Sequence, residues 1–354
     1  MLTNVTEHIL THMVASGFLY LAGALIGGVS VRPWLRQRYS SIPGWEAPSI
    51  TEDASAPFPI SLTHNVKTLQ CHSHNDYWRQ VPLYEALHYG CTSVEADVWL
   101  MDMNDGGELD FYVGHAPAAL ERKRTLRNLY INPLVRILDT MNYNNTAARF
   151  AGVFESSPDQ SLVLLVDLKN DPLVAFNAFS AQLEPLRARG YLTYHNGTDM
   201  VPGPLTIVGT GLTPYASILA QPSTRRDIFF DAPLGDLTTA ATTATSPSES
   251  GANVENLLVY NATTAFYASA SLRRVLGHPF PFLLPGSPSS WQLERIRSVA
   301  QAAHERGLKV RWWDTPDWPR SRRERTWRIL MREGADVLNV DELKAARDWD
   351  GWKS

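Results

Sequence analysis

Residues 162–169 read Leu-Val-Leu-Leu-Val-Asp-Leu-Lys, five apolar side chains in a row that break into an acid and a base. A short apolar run without alternation is the pattern of a strand buried on both faces, as in a parallel sheet covered by helices. Working outward, further β-rich runs occupy 67–71, 92–98, 109–113, 205–209, 227–231, 308–313 and 336–340. Helical patterns separate them. Pro82 suits a first helical turn, Leu83, Ala86 and Leu87 make an apolar stripe, and Gly90 ends it. Asn132-Pro133 opens a second helix with Leu134, Ile137, Leu138 and Met141, and Leu293, Ile296, Ala300 and Ala303 mark another before Gly307. Eight strands alternating with helices predict a closed (β/α)8 TIM barrel, with a doubly wound open sheet as the alternative. No G-x-G-x-x-G follows the first strand, which weighs against a dinucleotide fold.

The 354 residues divide into three expected regions. Residues 1–38 hold a hydrophobic anchor or signal segment, 39–63 a proline-containing linker, and 64–354 the barrel. From Met13 to Val31 no side chain is charged, long enough for a helix of about 28 Å, close to the hydrocarbon thickness of a bilayer. Gly28-Val29-Ser30 offers a cleavage site for a signal peptide instead. Arg32, Arg36 and Arg38 favour a cytoplasmic barrel, whereas the Asn-x-Thr sequons at Asn144, Asn196 and Asn261 suit a lumenal one. The side stays open. Residues Thr238 to Asn253, rich in Thr, Ala and Ser, read as a surface insertion.

Thirty-two basic residues against 36 acidic ones give net −4, the wrong sign for a protein that binds nucleic acid by neutralising phosphates. Two cysteines cannot build a disulfide scaffold or a cysteine zinc site. Cys71 and Cys91 are expected as buried thiols near neighbouring strands, with a disulfide between them as the alternative. Arg320, Arg322, Arg323, Arg325 and Arg328 are expected on a solvated helix face.

In such a barrel the chemistry gathers at the carboxyl ends of the strands. Glu95 and Asp97 are two apart on one strand and so share a face. Two carboxylates side by side repel unless something positive lies between them, and oxygen donors select a hard dication, Mg²⁺ or Ca²⁺. Asp167 supplies a third carboxylate and Asn75 a neutral carbonyl oxygen. His74 and His115 follow the first and third runs, and two imidazoles near neutrality can serve as general base and general acid. With Lys169 to offset phosphoryl charge, the set matches phosphodiester cleavage. Trp312 and Trp313 end the seventh run, and one of them, taken here as Trp313, is expected to wall a substrate pocket.

His74-Asn75-Asp76-Tyr77, then Gly90-Cys91-Thr92-Ser93-Val94-Glu95-Ala96-Asp97-Val98-Trp99, then Gly114-His115, resemble the phospholipase-C-like phosphodiesterase superfamily. That superfamily includes phosphoinositide phospholipases C, glycerophosphodiester phosphodiesterases and sphingomyelinase-D-like toxins. The longer phrase SHNDYWR…GCTSVEADVWL…LYINPLVRIL is most similar to the fungal altered inheritance of mitochondria protein 6 family. The resemblance implies an acid–base pair in His74 and His115, metal ligation by Glu95, Asp97, Asp167 and Asn75, and a phosphate contact at Lys169. It also implies a lipid or small-molecule phosphodiester as substrate and an association with mitochondria. The Arg-Gly that follows the first histidine of glycerophosphodiesterases is replaced by Asn75-Asp76, and His72 rivals His74 for the first catalytic place. Two other functions stand beside the phosphodiesterase. One is a barrel without catalysis that serves as an interaction protein; the other is a zinc amidohydrolase, whose opening H-x-H matches His72-Ser73-His74. The histidines that such a barrel needs on later strands are missing from 205–209 and 227–231.

Overall fold

The computed structural model describes residues 62–103, 106–144, 149–238, 260–277 and 288–353. The apolar amino-terminal segment, nearly all of the linker and the Thr/Ala/Ser-rich insertion after Thr238 lie outside the described residues. Among those described, no helix is long and apolar enough to cross a membrane.

In chain order the strands are β1 (Leu69–Ser73), β2 (Cys91–Met101), β3 (Asp110–Val113), β4 (Leu162–Leu168), β5 (Tyr194–His195), β6 (Met200–Val201), β7 (Leu205–Gly211), β8 (Ile228–Pro233), β9 (Ala265–Ser271), β10 (Lys309–Trp313) and β11 (Val337–Val340). Eight of them run parallel as β1–β2–β4–β7–β8–β9–β10–β11. The pairing of Cys71 with Leu338 and of Ser73 with Val340 then joins β11 back to β1 and closes the barrel. An open doubly wound sheet is thereby excluded. Two strand assignments need correction, and they offset each other. The run at 109–113 is no barrel strand: β3 pairs antiparallel with β2, Met101 opposite Asp110 and Val98 opposite Val113, as the return arm of a hairpin. Its place in the barrel belongs to β9, Ala-Phe-Tyr-Ala-Ser-Ala-Ser, which is poor in the branched residues that mark strands.

The run that predicted the fold is buried on both faces. From Leu162 to Val166 every residue is at most 5% exposed. Val163 and Leu165 pack inside the barrel with Val208, Tyr267 and Val337. The helix Pro172–Gln182 covers the other face. The expected helices form at 84–88, 132–141 and 290–304. The last opens on a capping box, in which Ser289 and Gln292 satisfy each other's backbone donors. Gly90 sits at φ +85°, where a Cβ would lie 2.2 Å from the Lys67 carbonyl oxygen, so only glycine turns the first helix into β2.

Cys71 and Cys91 are joined in a disulfide, not held as free thiols, with Cα atoms 4.7 Å apart. Twenty residues separate them, yet β1 and β2 are adjacent barrel strands, and both cysteines are fully buried. Arg323 also departs from expectation. It is buried in the helix Arg320–Arg332, its guanidinium 5.0 Å from the centre of the Trp327 ring, whereas Arg320, Arg325 and Arg328 are exposed. Of the sequons, Asn196 is exposed on the β5–β6 hairpin, and Asn261 precedes β9 with its side-chain oxygen accepting from the Thr263 hydroxyl. Asn144 is exposed at the edge of a stretch outside the described residues.

Candidate active site

Along each strand the inward positions turn polar towards the carboxyl end. On β4 they run Val163, Leu165, Asp167, then Lys169; on β2 Ser93, Glu95, Asp97; on β11 Val337, Asn339, then Asp341. The apolar lower layers therefore support a polar top, and a cavity of about 770 Å³ opens there. His74, Asn75, Glu95, Asp97, His115, Asp167, Lys169 and Trp313 all line it, so these eight residues singled out from the sequence meet in one place.

Glu95, Asp97 and Asp167 each offer an oxygen within 4.8 Å of the others. Glu95 and Asp97 are buried and Asp167 largely so. Lys169 reaches across them, its Nζ 2.6 Å from Asp167 Oδ2 and 3.0 Å from Asp97 Oδ2. Burial pushes the Asp167 carboxyl up to about 7 against the pull of Lys169, and the Asp97 charge adds to the rise. Asp167 Oδ1 is buried with no hydrogen-bond partner among the described residues. Glu95, Asp97, Asp167 and Asp231 line the cavity together with Lys169 and Arg311. The orphaned oxygen and the all-oxygen donor set fit a hard dication. Asn75 is less free to join it: its side-chain oxygen lies 2.5 Å from the Tyr77 hydroxyl, which is also 2.8 Å from Asp97 Oδ2.

The two imidazoles flank this cluster. His74 Nδ1 is 2.9 Å from Asp341 Oδ1 and its Nε2 is 3.9 Å from Glu95 Oε2. Burial alone would lower its pKa, but the Glu95 charge and the Asp341 hydrogen bond outweigh burial and raise it. His115 Nδ1 lies 3.1 Å from Asp97 Oδ2 and 3.3 Å from the Tyr77 hydroxyl, which turns Nε2 away from both. The rival His72 is different. It is fully buried beneath the cavity, with Nδ1 2.7 Å from Ser93 Oγ and Nε2 3.2 Å from Glu95 Oε2. Burial and the neighbouring Arg311 charge drive it down to about 4, so it stays neutral and props Glu95. His74 and His115, 27% and 60% exposed at the side chain, are the two that a substrate can reach. The H-x-H of an amidohydrolase thus has one histidine out of reach.

Sequence reasoning missed four groups. Arg311 donates to Ser269 and Asn339 and stands 4.0 Å from Glu95, beneath the cavity. It shares a strand face with Trp313 two residues on, which the period of two made readable. Asp341 follows the last strand directly, the same cue that singled out Lys169. Asp231 ends the run 227–231 and carried that cue too, whereas Tyr77 did not. Trp313 lines the cavity with the Arg274 guanidinium 5.7 Å from its ring, while Trp312 is buried in packing.

The AIM6-like phosphodiesterase domain matches residues 60–231. An altered inheritance of mitochondria protein 6 homolog of Arthroderma benhamiae is 38% identical over 303 residues, covering 82% of this chain and 87% of that one. The chain belongs to the altered inheritance of mitochondria protein 6 family. Family members from Eremothecium gossypii and Saccharomyces cerevisiae are 36% and 33% identical, each over 80% of this chain and over 70% and 71% of their own lengths. The domain match contains both accessible histidines, the three carboxylates and Lys169, but ends before Arg311, Trp313 and Asp341. With the closed ring of eight parallel strands, that match makes the protein a phosphodiesterase-like barrel of the phospholipase-C-like type. Among solved structures, a glycerophosphoryl diester phosphodiesterase from Parabacteroides distasonis is 13% identical with a TM-score of 0.39, over 81% of this chain and 88% of that one.

Proposed function

We propose that this family member is a metal-dependent phosphoric diester hydrolase that works by two-histidine acid–base catalysis on a phospholipid-derived or related diester. The observation that carries the reading is the placement of His74 and His115 on either side of the Glu95–Asp97–Asp167 cluster at the mouth of one cavity. Those three carboxylates, with Asn75 beside them, would hold Mg²⁺ or Ca²⁺, which when bound offsets charge on the phosphoryl oxygens. Lys169 adds a second positive charge on the same side, kept protonated because Asp167 and Asp97 outweigh its burial. Asp341 holds His74 through Nδ1, so a proton can be exchanged at Nε2. Asp97 and Tyr77 hold His115 in the same manner, leaving its Nε2 for the opposite proton transfer. One imidazole takes the proton of the attacking hydroxyl while the other gives a proton to the leaving oxygen. Trp313 supplies an apolar wall for the rest of the substrate.

A membrane setting suits this reading, through the uncharged segment 13–31, and so does an association with mitochondria, which the names of the relatives carry. The test is a panel of phosphodiesters followed by phosphorus NMR, with and without chelator. Turnover of at least one diester is expected, silenced by chelation, restored by Mg²⁺ or Ca²⁺, and reduced about 10²- to 10⁴-fold by His115→Ala. Unchanged turnover in that variant would reject the role of His115. A folded wild type inert on every diester would favour the non-catalytic barrel, for which the direct pairing of Lys169 with Asp97 and Asp167 is the supporting feature.

A further inference from the structure

We propose that Asn196 is an N-glycosylation site, and that the barrel accordingly lies in the lumen of the secretory pathway. The inference is independent of the catalytic reading, since no residue of the cavity enters it.

An Asn-x-Thr triplet is a common accident of sequence, so its place in the fold is what matters. Asn196-Gly197-Thr198 follows β5 at the tip of the β5–β6 hairpin, and all three residues are exposed. Asn196 Oδ1 accepts from the backbone N–H groups of Thr198 and Asp199 at 2.9 and 2.8 Å, which leaves Nδ2 directed away from those donors. Neither that Nδ2 nor the Thr198 hydroxyl bonds to another described residue.

A glycan there would crowd nothing at the cavity. Leu192 bridges to Leu205 at the start of β7, and His195 to Arg226 just ahead of β8. The hairpin therefore belongs to the amino ends of the strands, opposite the mouth. The barrel's other two sequons share that end. Asn144 lies between the helix Asn132–Met141 and β4. Asn261 lies just ahead of β9, where the next residue, Ala262, donates its N–H to the Arg306 carbonyl. All three fall on helix-to-strand connections, and the strand-to-helix loops that frame the cavity stay clear of them.

The disulfide is a second, independent observation. Cys71 and Cys91 are bridged and fully buried, whereas cytosolic thiols are held reduced and bridges persist in the lumen and outside the cell. The chain ahead of the barrel agrees. Residues 1–31 contain no Lys or Arg and one acid, Glu7, unlike the Arg-rich, acid-poor leaders of mitochondrial import. Arg32, Arg36 and Arg38 argue the other way only for a retained anchor, and cleavage at Gly28-Val29-Ser30 takes them out of that count.

The sugar donor is a lipid-pyrophosphate-linked oligosaccharide, and the catalyst is the host's oligosaccharide transferase. Asn196 Nδ2 attacks the anomeric carbon of the first sugar. A carbon–nitrogen bond forms, the bond from that carbon to the pyrophosphate oxygen breaks, Nδ2 gives up one proton, and the lipid pyrophosphate departs.

The experiment uses the full chain made in a fungal cell. Enzymatic release of N-glycans is expected to lower its apparent mass, and release in heavy-oxygen water to leave a labelled aspartate in place of the amide at position 196. Thr198→Ala should abolish that label while keeping Asn196 and its turn, and Thr198→Ser should restore it, with circular dichroism unchanged in both. Alkylation without reduction reports the cysteines of the same material. An unglycosylated chain with its bridge intact would overturn the proposal in favour of another oxidising compartment, such as the mitochondrial intermembrane space. An unglycosylated chain with two free thiols would overturn it in favour of the cytoplasm. Glycan at Asn144 or Asn261 with none at Asn196 would reject Asn196 as the site. None of these readouts involves turnover, so the hydrolase reading stands or falls apart from them.

Discussion

Asp341 holds no bond to any reacting group of the substrate in the proposed chemistry, yet its Oδ1 lies 2.9 Å from His74 Nδ1 and sets which way the ring turns. A carboxylate behind an imidazole fixes tautomer and orientation, and its loss commonly costs about 10- to 100-fold. Asp341→Ala should therefore lower kcat by about that factor with little change in KM, while circular dichroism stays that of the wild type. A change confined to KM would assign Asp341 to substrate binding. The same scale shows what a sequence can and cannot disclose. Glu95, Asp97 and Asp167 were legible because strand periodicity and strand ends place acids on one face without knowledge of any partner. His72 and His74 were not separable, because their difference is depth: one is sealed against Ser93 and Glu95, the other opens to the cavity. Depth depends on the closure of strands that lie hundreds of residues away.

Among the elements, β1 and β2 position His74, Asn75, Glu95 and Asp97 and are also the pair that the Cys71–Cys91 disulfide joins. Cross-linking a loop of about twenty residues restricts the unfolded chain and stabilises the fold by about 3 kcal/mol on the chain-entropy account. Denatured, unreduced protein should accordingly show no thiol towards an alkylating reagent, and two after reduction. The reduced protein should unfold at lower denaturant, and two free thiols before reduction would refute the bridge. The disulfide was only one of two readings of the sequence, since spacing alone does not place two strands side by side. Element reading failed in the same way at β3 and β9. Asp110–Val113 has strand chemistry but folds back as a hairpin arm, and Ala265–Ser271 has weak strand chemistry but is held by its neighbours Asp231–Pro233 and Lys309–Trp313. Tertiary pairing overrides local preference in both.

For the whole molecule, the seam between β1 and β11 is the feature on which the rest depends. Arg79, buried after β1, donates to the backbone carbonyls of Val340 and Asp341, pinning the seam from the outside of the site. A chain ended after Arg332 would lose β11, expose the edges of β1 and β10, and strip Arg79 of its acceptors on Val340 and Asp341. Such a truncation should fail to give a cooperative unfolding transition, although the segment matched by the family domain remains intact; a sharp transition would show that the first seven strands suffice.

Partners 267 positions apart meet at His74 and Asp341. During synthesis the ribosome releases both imidazoles, all three acids and the lysine long before the last strand emerges. The nascent protein consequently carries His74 through most of its elongation without the carboxylate that orients the ring, which comes only once β11 and Asp341 have been made.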